Sequence, residues 1–419
     1  MRIIVFLFST FSFLLALNNR SHAQADSTLN FQQAKARLIK KNLSLLAAFY
    51  DIDISEARLI QAKVWNNPYF IWNQELYNIE KNQYLNYQNQ FLVQVEQVFS
   101  IAGKHTNSVK LARINVAISK VQFQDVLRSL LYDLGTTYNE LASLQAKSNL
   151  YRSVLSSYEV LIRATREQLR LGAISGAVAL RLESEYRAVK SQSVQNSNDQ
   201  EKAFASLRVL LQIPADSTFR VTQQLPFQTP SLQIDSLLNQ ALTIRPDLKV
   251  AELSKQYQER NLKLQQSLSI PDVKIGYQPN DKGSNYVRPY SGINLEFPIP
   301  FFDRNQGRIK EAKFSIQQSN YSIELQKSKV TNEVMAAYIR VQHNTEGIQT
   351  YTPEFMENLR IINNSVNQNF EKRNISLLEF IDQQRIYITT NLQLIELKQQ
   401  YLDSVNDLNF SVGTQVIEN

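Results

Sequence analysis

One long stretch without helix-breaking residues limits the fold more than any other feature of this sequence. From Lys104 to about Leu171 there is no proline and only a single glycine. Apolar side chains recur there at coiled-coil spacing, namely at Leu127, Leu131, Leu134, Tyr138, Leu141, Tyr151, Leu155, Tyr158 and Ile162. At about 1.5 Å per residue, such a helix would be about 100 Å long. The segment LGAIS (171–175) interrupts the pattern before a second helix is predicted from Val178 to Leu211, which indicates a long helical hairpin.

The same pattern occurs a second time. Leu45, Ala48 and Pro68 match residues 203 positions later, Glu96 and Ala112 match residues 200 positions later, and LRLGAIS (169–175) matches FEKRNIS (370–376). We therefore predict a tandem duplication, with a first repeat at 26–228 and a second at 229–419. Each repeat is predicted to contain an initial helix (31–64 or 234–268), a β-hairpin (about 67–100 or 271–299) and a coiled-coil hairpin (104–211 or 304–411). In the last of these, one helix is predicted over 306–371, and Ile381, Ile388, Ile395 and Leu402 recur every seven residues.

The predicted strands alternate apolar and polar residues. In the first repeat, Phe91, Val93 and Val95 lie on one face of a predicted strand, and Gln94 and Glu96 lie on the other face. In the second repeat, Ile293 and Leu295 oppose Asn294 and Glu296. The strand lengths suit a membrane β-strand of roughly 9–11 residues, and tyrosines and tryptophans typical of a headgroup belt flank them, namely Tyr69, Trp72, Tyr77, Tyr84, Tyr87, Tyr286 and Tyr290. A soluble hairpin with one wet face is the alternative from the strands alone.

Four such strands are too few to close a barrel, because about eight is the usual minimum. A lipid-facing sheet therefore predicts that several copies share one barrel, with Gln94, Glu96, Asn294 and Glu296 facing its lumen. Pro298 and Pro300 would end the sheet because they cannot donate ladder hydrogen bonds. Asp303 is predicted to cap the helix that follows.

The N-terminus and the composition limit the function classes. Arg2, an apolar run and AQA (23–25) predict a cleavable secretory signal at 1–25, with an N-terminal membrane anchor as the alternative. There is no cysteine, which excludes disulfides, thiolate sites and a thiol for a lipoprotein anchor. The net charge of +7 comes from lysines and arginines dispersed among carboxylates, which indicates solvated helix faces rather than a nucleic-acid surface.

No catalytic motif is recognisable. His22, His105 and His343 are isolated, and sulfur is limited to Met1, Met335 and Met356. Neither pattern resembles a metal site, and no nucleophile elbow or phosphate-binding glycine loop is present. We expect no enzyme activity, no cofactor and no bound metal.

The chain resembles the TolC family of outer-membrane efflux channels over nearly all of the predicted mature protein. The residues that carry this resemblance are NNP (66–68), FSIAGK (99–104), LRLGAIS (169–175), PFFDRNQGRIKEA (300–312) and NISLLEFIDQQRIY (374–387). The last two look most like the branch that works with resistance-nodulation-division pumps, including heavy-metal exporters. The resemblance implies a mainly α-helical fold with a membrane β-barrel part. It implies a homotrimer with a twelve-stranded barrel in outer-membrane lipid and a helical tunnel across the periplasm.

The resemblance also implies partners and site residues. The tunnel would dock onto a periplasmic adaptor (a membrane fusion protein) and an inner-membrane resistance-nodulation-division transporter. The hairpin tips would contact the adaptor, through Leu171, Gly172, Ile174, Ser175, Arg373, Asn374, Ile375 and Ser376. Arg373 departs from the pattern, because the first tip has Gly172 at the matching position.

Two carboxylates follow the second tip. Glu379 and Asp382 are three residues apart and so share a helix face, whereas the matching positions in the first repeat are Val178 and Arg181. In the resembling family, acidic residues at this place line the closed periplasmic entrance, so the pair is a candidate pore constriction. A solvated coiled-coil flank with ordinary salt bridges is the alternative.

The predicted function is an outer-membrane exit duct of a tripartite efflux pump that conducts small toxic compounds or metal ions. An exported coiled-coil scaffold or adaptor would explain the helices equally well, and a type I secretion duct would share the fold.

Overall fold

The structure is a computed structural model that describes residues 27–79, 82–85, 91–217, 219–222, 225–281, 290–372 and 374–417. The predicted signal (1–25), the proposed mature start near Asp26, Tyr87, Tyr286 and Arg373 lie outside the described residues. The described chain divides into two compact units. The first contains the residues up to Asn42, Leu134–Pro226 and Thr350–Gln399, and the second contains Leu43–Asp133, Phe227–Gln349 and the chain from Gln400.

Helices dominate the described residues. They are α1 (Phe31–Lys41), α2 (Leu43–Lys63), α3 (Lys104–Arg170), α4 (Gly176–Leu211), α5 (Ile234–Ile244), α6 (Pro246–Leu268), α7 (Gln306–Gln349), α8 (Pro353–Glu371) and α9 (Leu377–Val412). The long helix predicted from Lys104 is confirmed as the 67-residue α3. Among the described helices, none combines the length and the low charge needed to cross a bilayer.

Three helices were predicted to be continuous, and this prediction is wrong because each is divided into two. The helix predicted over 31–64 breaks at Asn42, whose side-chain amide donates to the Leu210 carbonyl at 2.9 Å. The helix over 234–268 breaks at Arg245, because Pro246 begins α6. The helix over 306–371 is interrupted at 350–352, where the side chain of Thr352 caps α8 and Pro353 occupies its first turn. Pro353 lacks the amide hydrogen that would have continued α7.

The first unit has one large apolar core, where the α3–α4 and α8–α9 hairpins pack together. Its buried side chains include Tyr158, Leu182, Phe380 and Ile381. The predicted coiled-coil positions from Leu134 to Ile162 are buried, as are Ile381 and Ile388. A small parallel sheet, which the sequence patterns did not predict, pairs β1 (Ser27–Leu29) with β6 (Phe219–Val221).

The second unit contains the main sheet. Its strands are β2 (Tyr69–Gln74), β5 (Phe91–Phe99), β7 (Val273–Asp281) and β8 (Tyr290–Glu296), in the order β2-β5-β7-β8 and antiparallel throughout. The first predicted strand stops at Gln74, and the residues that follow form a separate short hairpin, β3 (Tyr77–Asn78) with β4 (Gln83–Tyr84). The predicted hairpins of both repeats therefore join in one sheet through β5 and β7.

Candidate functional site

The main sheet has one apolar face that is exposed to the surroundings. The register aligns Phe70 with Val95, Val95 with Tyr277, and Tyr277 with Ile293 across all four strands. These side chains are 45–76% exposed. Trp72, Ile275 and Leu295, on the same face, are 62%, 42% and 59% exposed. An apolar face this exposed has a hydrophobic drive to be covered.

The opposite face carries polar side chains on β5, β7 and β8, and Ile71 and Leu92 lie on it as well. The register puts Glu96 beside Gly276 and Gly276 beside Asn294, so the four predicted lumen residues share this face. Gln94 and Glu96 are buried, whereas Asn294 and Glu296 are exposed. Lys274, which sequence reasoning did not single out, binds Glu96 at 2.7 Å and Glu296 at 3.1 Å and so links three strands.

Gly276 leaves space for this packing. A Cβ atom at Gly276 would lie 2.6 Å from the Gln94 amide nitrogen and 3.2 Å from Cγ of Glu96. The glycine therefore leaves the room in which Gln94 donates a hydrogen bond to Glu96.

Helices join the sheet at a single end. Phe99 and Val273 are paired there, and the buried Lys104 at the start of α3 binds Asp272 at 2.7 Å. The prediction that Asp303 caps α7 is wrong, because its carboxylate accepts from the Asn305 amide at 2.8 Å, ahead of the helix. Asn305 adopts a positive φ of 56° and its side chain donates to the Gln265 carbonyl at 2.7 Å, so it joins α7 to α6.

Most residues of the predicted aromatic belt lie in the part of the chain that the structure describes. Tyr69, Trp72, Tyr77, Tyr84 and Tyr290 are all exposed. The rings of Tyr77 and Tyr84 lie 4.8 Å apart across the β3–β4 hairpin. Further exposed aromatic side chains follow the sheet at Phe301 and Phe302.

The first hairpin end is a glycine-terminated turn. Gly172 has φ 70°, and the Ala173 amide donates to the Gln168 carbonyl at 2.9 Å, which satisfies a carbonyl at the end of α3. A side chain at this φ would be strained. Leu171, Gly172 and Ser175 are exposed, and Ile174 is half-buried.

The second hairpin end closes in a similar way. The Asn374 amide donates to the Asn369 carbonyl at 2.8 Å, and the Ser376 hydroxyl accepts from the Glu379 amide at 3.2 Å as the N-cap of α9. Asn374 and Ser376 are exposed, whereas Ile375 packs against the core of the first unit.

Glu379 and Asp382 are both exposed on α9, while Phe380 and Ile381 between them are buried. The neighbouring Arg385 on the same helix binds Glu185 of α4. Burial raises the pKa of the nearby Tyr158 hydroxyl to about 12, with Glu185 adding to the shift and Arg385 opposing it. The two carboxylates are therefore solvated side chains beside an ion pair that joins the two hairpins.

A buried ionic cluster in the second unit was missed by sequence reasoning. Arg245, whose side chain is 2% exposed, donates to Asp247, to Glu333 at 2.6 Å and to the Ser411 carbonyl at 3.0 Å. Arg128 lies 3.5 Å from Asp247 and stacks over Phe410. The only sequence signal was the charged pair in RPDL (245–248), within the helix predicted over 234–268.

No group of three or more histidine, cysteine or acidic side chains within the described residues is arranged to hold a metal ion. His105 stacks on Trp65 with ring centroids 3.9 Å apart.

Comparisons with known proteins identify the fold. The model of the outer membrane efflux protein family (OEP) matches residues 237–414. The probable outer membrane lipoprotein SilC of Salmonella typhimurium is 20% identical over 322 residues, covering 73% of this chain and 68% of SilC.

Two solved channels have the same fold across nearly the whole chain. CusC, solved in a study of transmembrane channel formation, superposes with a TM-score of 0.72 at 16% identity, covering 95% of this chain and 96% of CusC. The outer membrane channel CmeC of Campylobacter jejuni superposes with a TM-score of 0.73 at 13% identity, covering 93% of this chain and 87% of CmeC. The predicted fold, an α-helical barrel protein with a β part, is confirmed, and residues 237–414 match the outer membrane efflux protein family.

Proposed function

We propose that the protein is the outer-membrane exit duct of a tripartite efflux pump, which passively conducts small toxic compounds or metal ions to the exterior. The observation that carries the proposal is the two-faced sheet, with an exposed apolar face suited to lipid and a polar face suited to a water-filled lumen. The family match and the shared fold with solved channels support it. The role is transport, without catalysis.

The two open edges of the sheet support an assembly of several copies. Among the described strands, β2 and β8 lie at the two edges of the sheet, and an open sheet edge is not stable in lipid. A homotrimer would contribute four strands per copy to a closed barrel of twelve, as the resemblance to the TolC family implies. Gln94, Glu96, Asn294 and Glu296 would then line its lumen.

Exposed apolar stripes on two helices also support self-association. In the second unit, α2 contacts α3 through Ser55 and Ser119 (2.7 Å), and α3 contacts α6 through Asn107 and Ser267 (3.5 Å). α7 packs on α6, so α2 and α7 occupy the two outer positions of this row. Both carry exposed apolar side chains, namely Leu43, Leu46, Tyr50, Ile54 and Ile60 on α2 and Phe314, Tyr321, Leu325, Met335 and Ile339 on α7.

The hairpin ends are the proposed docking points. Their exposed residues would contact a periplasmic adaptor, which in turn binds an inner-membrane transporter of the resistance-nodulation-division type. Glu379 and Asp382 would form carboxylate rings at the pore constriction. SilC is described as a lipoprotein, but these 419 residues hold no cysteine to carry a lipid, so we propose insertion in the outer membrane without a lipid anchor.

Membrane extraction and mass determination test the proposal. The expressed protein is expected to stay with the outer-membrane pellet after an alkaline wash and to need detergent for release. Light scattering of the solubilised protein is expected to give three times the chain mass, and planar bilayers are expected to show conducting pores.

Release by the alkaline wash as a soluble species would contradict the duct and favour a coiled-coil scaffold. Co-purification with an inner-membrane pump of another class, such as a type I secretion transporter, would keep the duct but overturn the assigned partners.

A further inference from the structure

A basic groove lies in the second unit between α3, α6 and α7. It is open, has a volume of about 730 Å³, and is lined by four cationic side chains, Lys110, Arg113, Arg260 and Lys263. Glu259 is its single carboxylate. Within the described part of the chain, none of the four cations forms an ion pair with a carboxylate. Four unpaired positive charges around one groove create a local potential that attracts anions.

The groove lies close to the end of the sheet. α3 begins at Lys104 and α6 ends at Leu268, and both helices join the sheet where Phe99 pairs with Val273. At about 1.5 Å per residue, Lys110 lies about 9 Å and Lys263 about 8 Å from these helix ends, and Arg113 and Arg260 lie about one turn further.

Exposed apolar side chains mark the region between the sheet and the groove. Phe297, Ile299 and Phe301 are 49–69% exposed and Phe302 is 94% exposed. Side chains of this kind suit the edge of the hydrocarbon layer. The lipid headgroups beyond that edge occupy a layer of roughly 5–8 Å, a distance that long lysine and arginine side chains can span to reach the lipid phosphates.

We propose that this groove binds the phosphate of an anionic lipid headgroup in the periplasmic leaflet and so fixes the depth of the channel in the membrane. The inference rests on the proposed function, because it requires the apolar face of the sheet to be in lipid. A free phosphate compound has the same binding chemistry, but the position next to the exposed aromatic side chains favours the lipid, whose acyl chains would lie against them.

The test measures lipid binding to the full chain in detergent by native mass spectrometry. The probes are phosphatidylglycerol, zwitterionic phosphatidylcholine and glycerol 3-phosphate, which has the phosphate without acyl chains. The variant carries Lys110→Gln, Arg113→Gln, Arg260→Gln and Lys263→Gln. A matched control removes four other cations of the same unit, through Lys249→Gln, Lys255→Gln, Lys327→Gln and Lys329→Gln.

The wild type and the control are expected to prefer phosphatidylglycerol over phosphatidylcholine, and the variant is expected to bind phosphatidylglycerol at least about tenfold more weakly. The preference should decline as salt is added. Equal lipid binding by variant and wild type, or an equal loss in the control, would overturn the site. Binding of glycerol 3-phosphate as tight as that of the lipid would make it a solute site instead.

A double variant with Lys110→Gln and Lys263→Gln, both exposed, keeps the test decisive if the fourfold variant does not fold, and its expected loss is about fivefold or more. Release of the wild-type protein by alkaline wash would refute the proposed function separately, since lipid binding is measured in detergent.

Discussion

At the scale of single residues, Arg245 is the most consequential side chain of the second unit. It is almost fully buried and contacts the end of α9, α7 and the first turn of α6. Burial by itself would raise the pKa of Asp247, but hydrogen bonds from Arg245 and the charges of Arg245 and Arg128 outweigh it and lower that pKa below 3.8. The ionised carboxylate is therefore part of the fold.

Asp247→Asn is expected to lower the free energy of unfolding by about 2 kcal/mol, because it leaves a buried guanidinium with fewer anionic partners. The measurement is thermal unfolding of the purified protein in detergent. Glu252→Gln, an exposed carboxylate on the same helix, is the control and should change little. An unchanged melting temperature in Asp247→Asn would show that the cluster does not stabilise the unit.

The same carboxylate predicts a pH dependence. Because its folded pKa lies below the unfolded value, its contribution is fully present above about pH 4 and is lost as the pH falls through the folded pKa. Wild-type stability should therefore drop more steeply than that of Asp247→Asn over this acid range. Parallel pH profiles for the two proteins would contradict the assignment.

The exposed pair Glu379 and Asp382 gives a second prediction at this scale. If three copies of each line a narrow entrance, the pore should be cation-selective and blocked by multivalent cations from the periplasmic side. The double variant Glu379→Gln with Asp382→Asn should lose the block and weaken the selectivity in planar bilayers. Glu396→Gln, an exposed carboxylate further along α9, should keep both. Wild-type block in the double variant would leave the pair as surface charge.

At the scale of elements, the two hairpins differ in their continuity. α3 runs unbroken for 67 residues, whereas its counterpart in the predicted second repeat is divided into α7 and α8. Thr352 and Pro353 start α8 afresh, since the hydroxyl accepts from the Phe355 amide at 3.1 Å. The second hairpin therefore has a helix break between α7 and α8, whereas α3 of the first hairpin is continuous.

Thr352→Ala is expected to destabilise the first turn of α8 by about 1 kcal/mol. Thr352→Ser keeps the hydroxyl and should restore most of the loss. Hydrogen exchange of the α8 amides measures the effect, and exchange should be faster in the alanine variant alone. Equal protection in all three proteins would mean that packing, rather than the cap, starts the helix.

At the scale of the whole molecule, the exposed apolar surfaces are the main feature. One face of the sheet and the outer helices α2 and α7 expose large apolar side chains that a monomer in water would bury. The proposed insertion of the sheet in lipid and the proposed contacts of the helices with neighbouring copies would cover both.

Tyr321 on α7 is 72% exposed, and Tyr321→Glu should prevent trimer formation by placing a charge in an apolar interface. Tyr321→Phe preserves the apolar surface and should assemble normally. Light scattering in detergent distinguishes trimer from monomer. A trimeric glutamate variant would exclude α7 from the contact between copies.

The sequence by itself determined the helical character of most of the chain and the alternating faces of the strands, because these depend on local periodicity and on where proline and glycine occur. The grouping of Gln94, Glu96, Asn294 and Glu296 on one face follows from the two-residue period of a strand. Their role in a lumen remains a prediction, as do the domain boundaries and the contacts of the hairpin ends.

Only the tertiary structure decided the features that join distant residues. The break at Asn42 has no proline to signal it and depends on a hydrogen bond to Leu210. The β1–β6 pairing joins strands about 190 residues apart in sequence, and the Arg245 cluster draws on α3, α6, α7 and α9. These contacts depend on which elements lie side by side in the folded protein. The periodicity of a segment shows which of its faces is apolar, but it does not specify which other segment packs against that face.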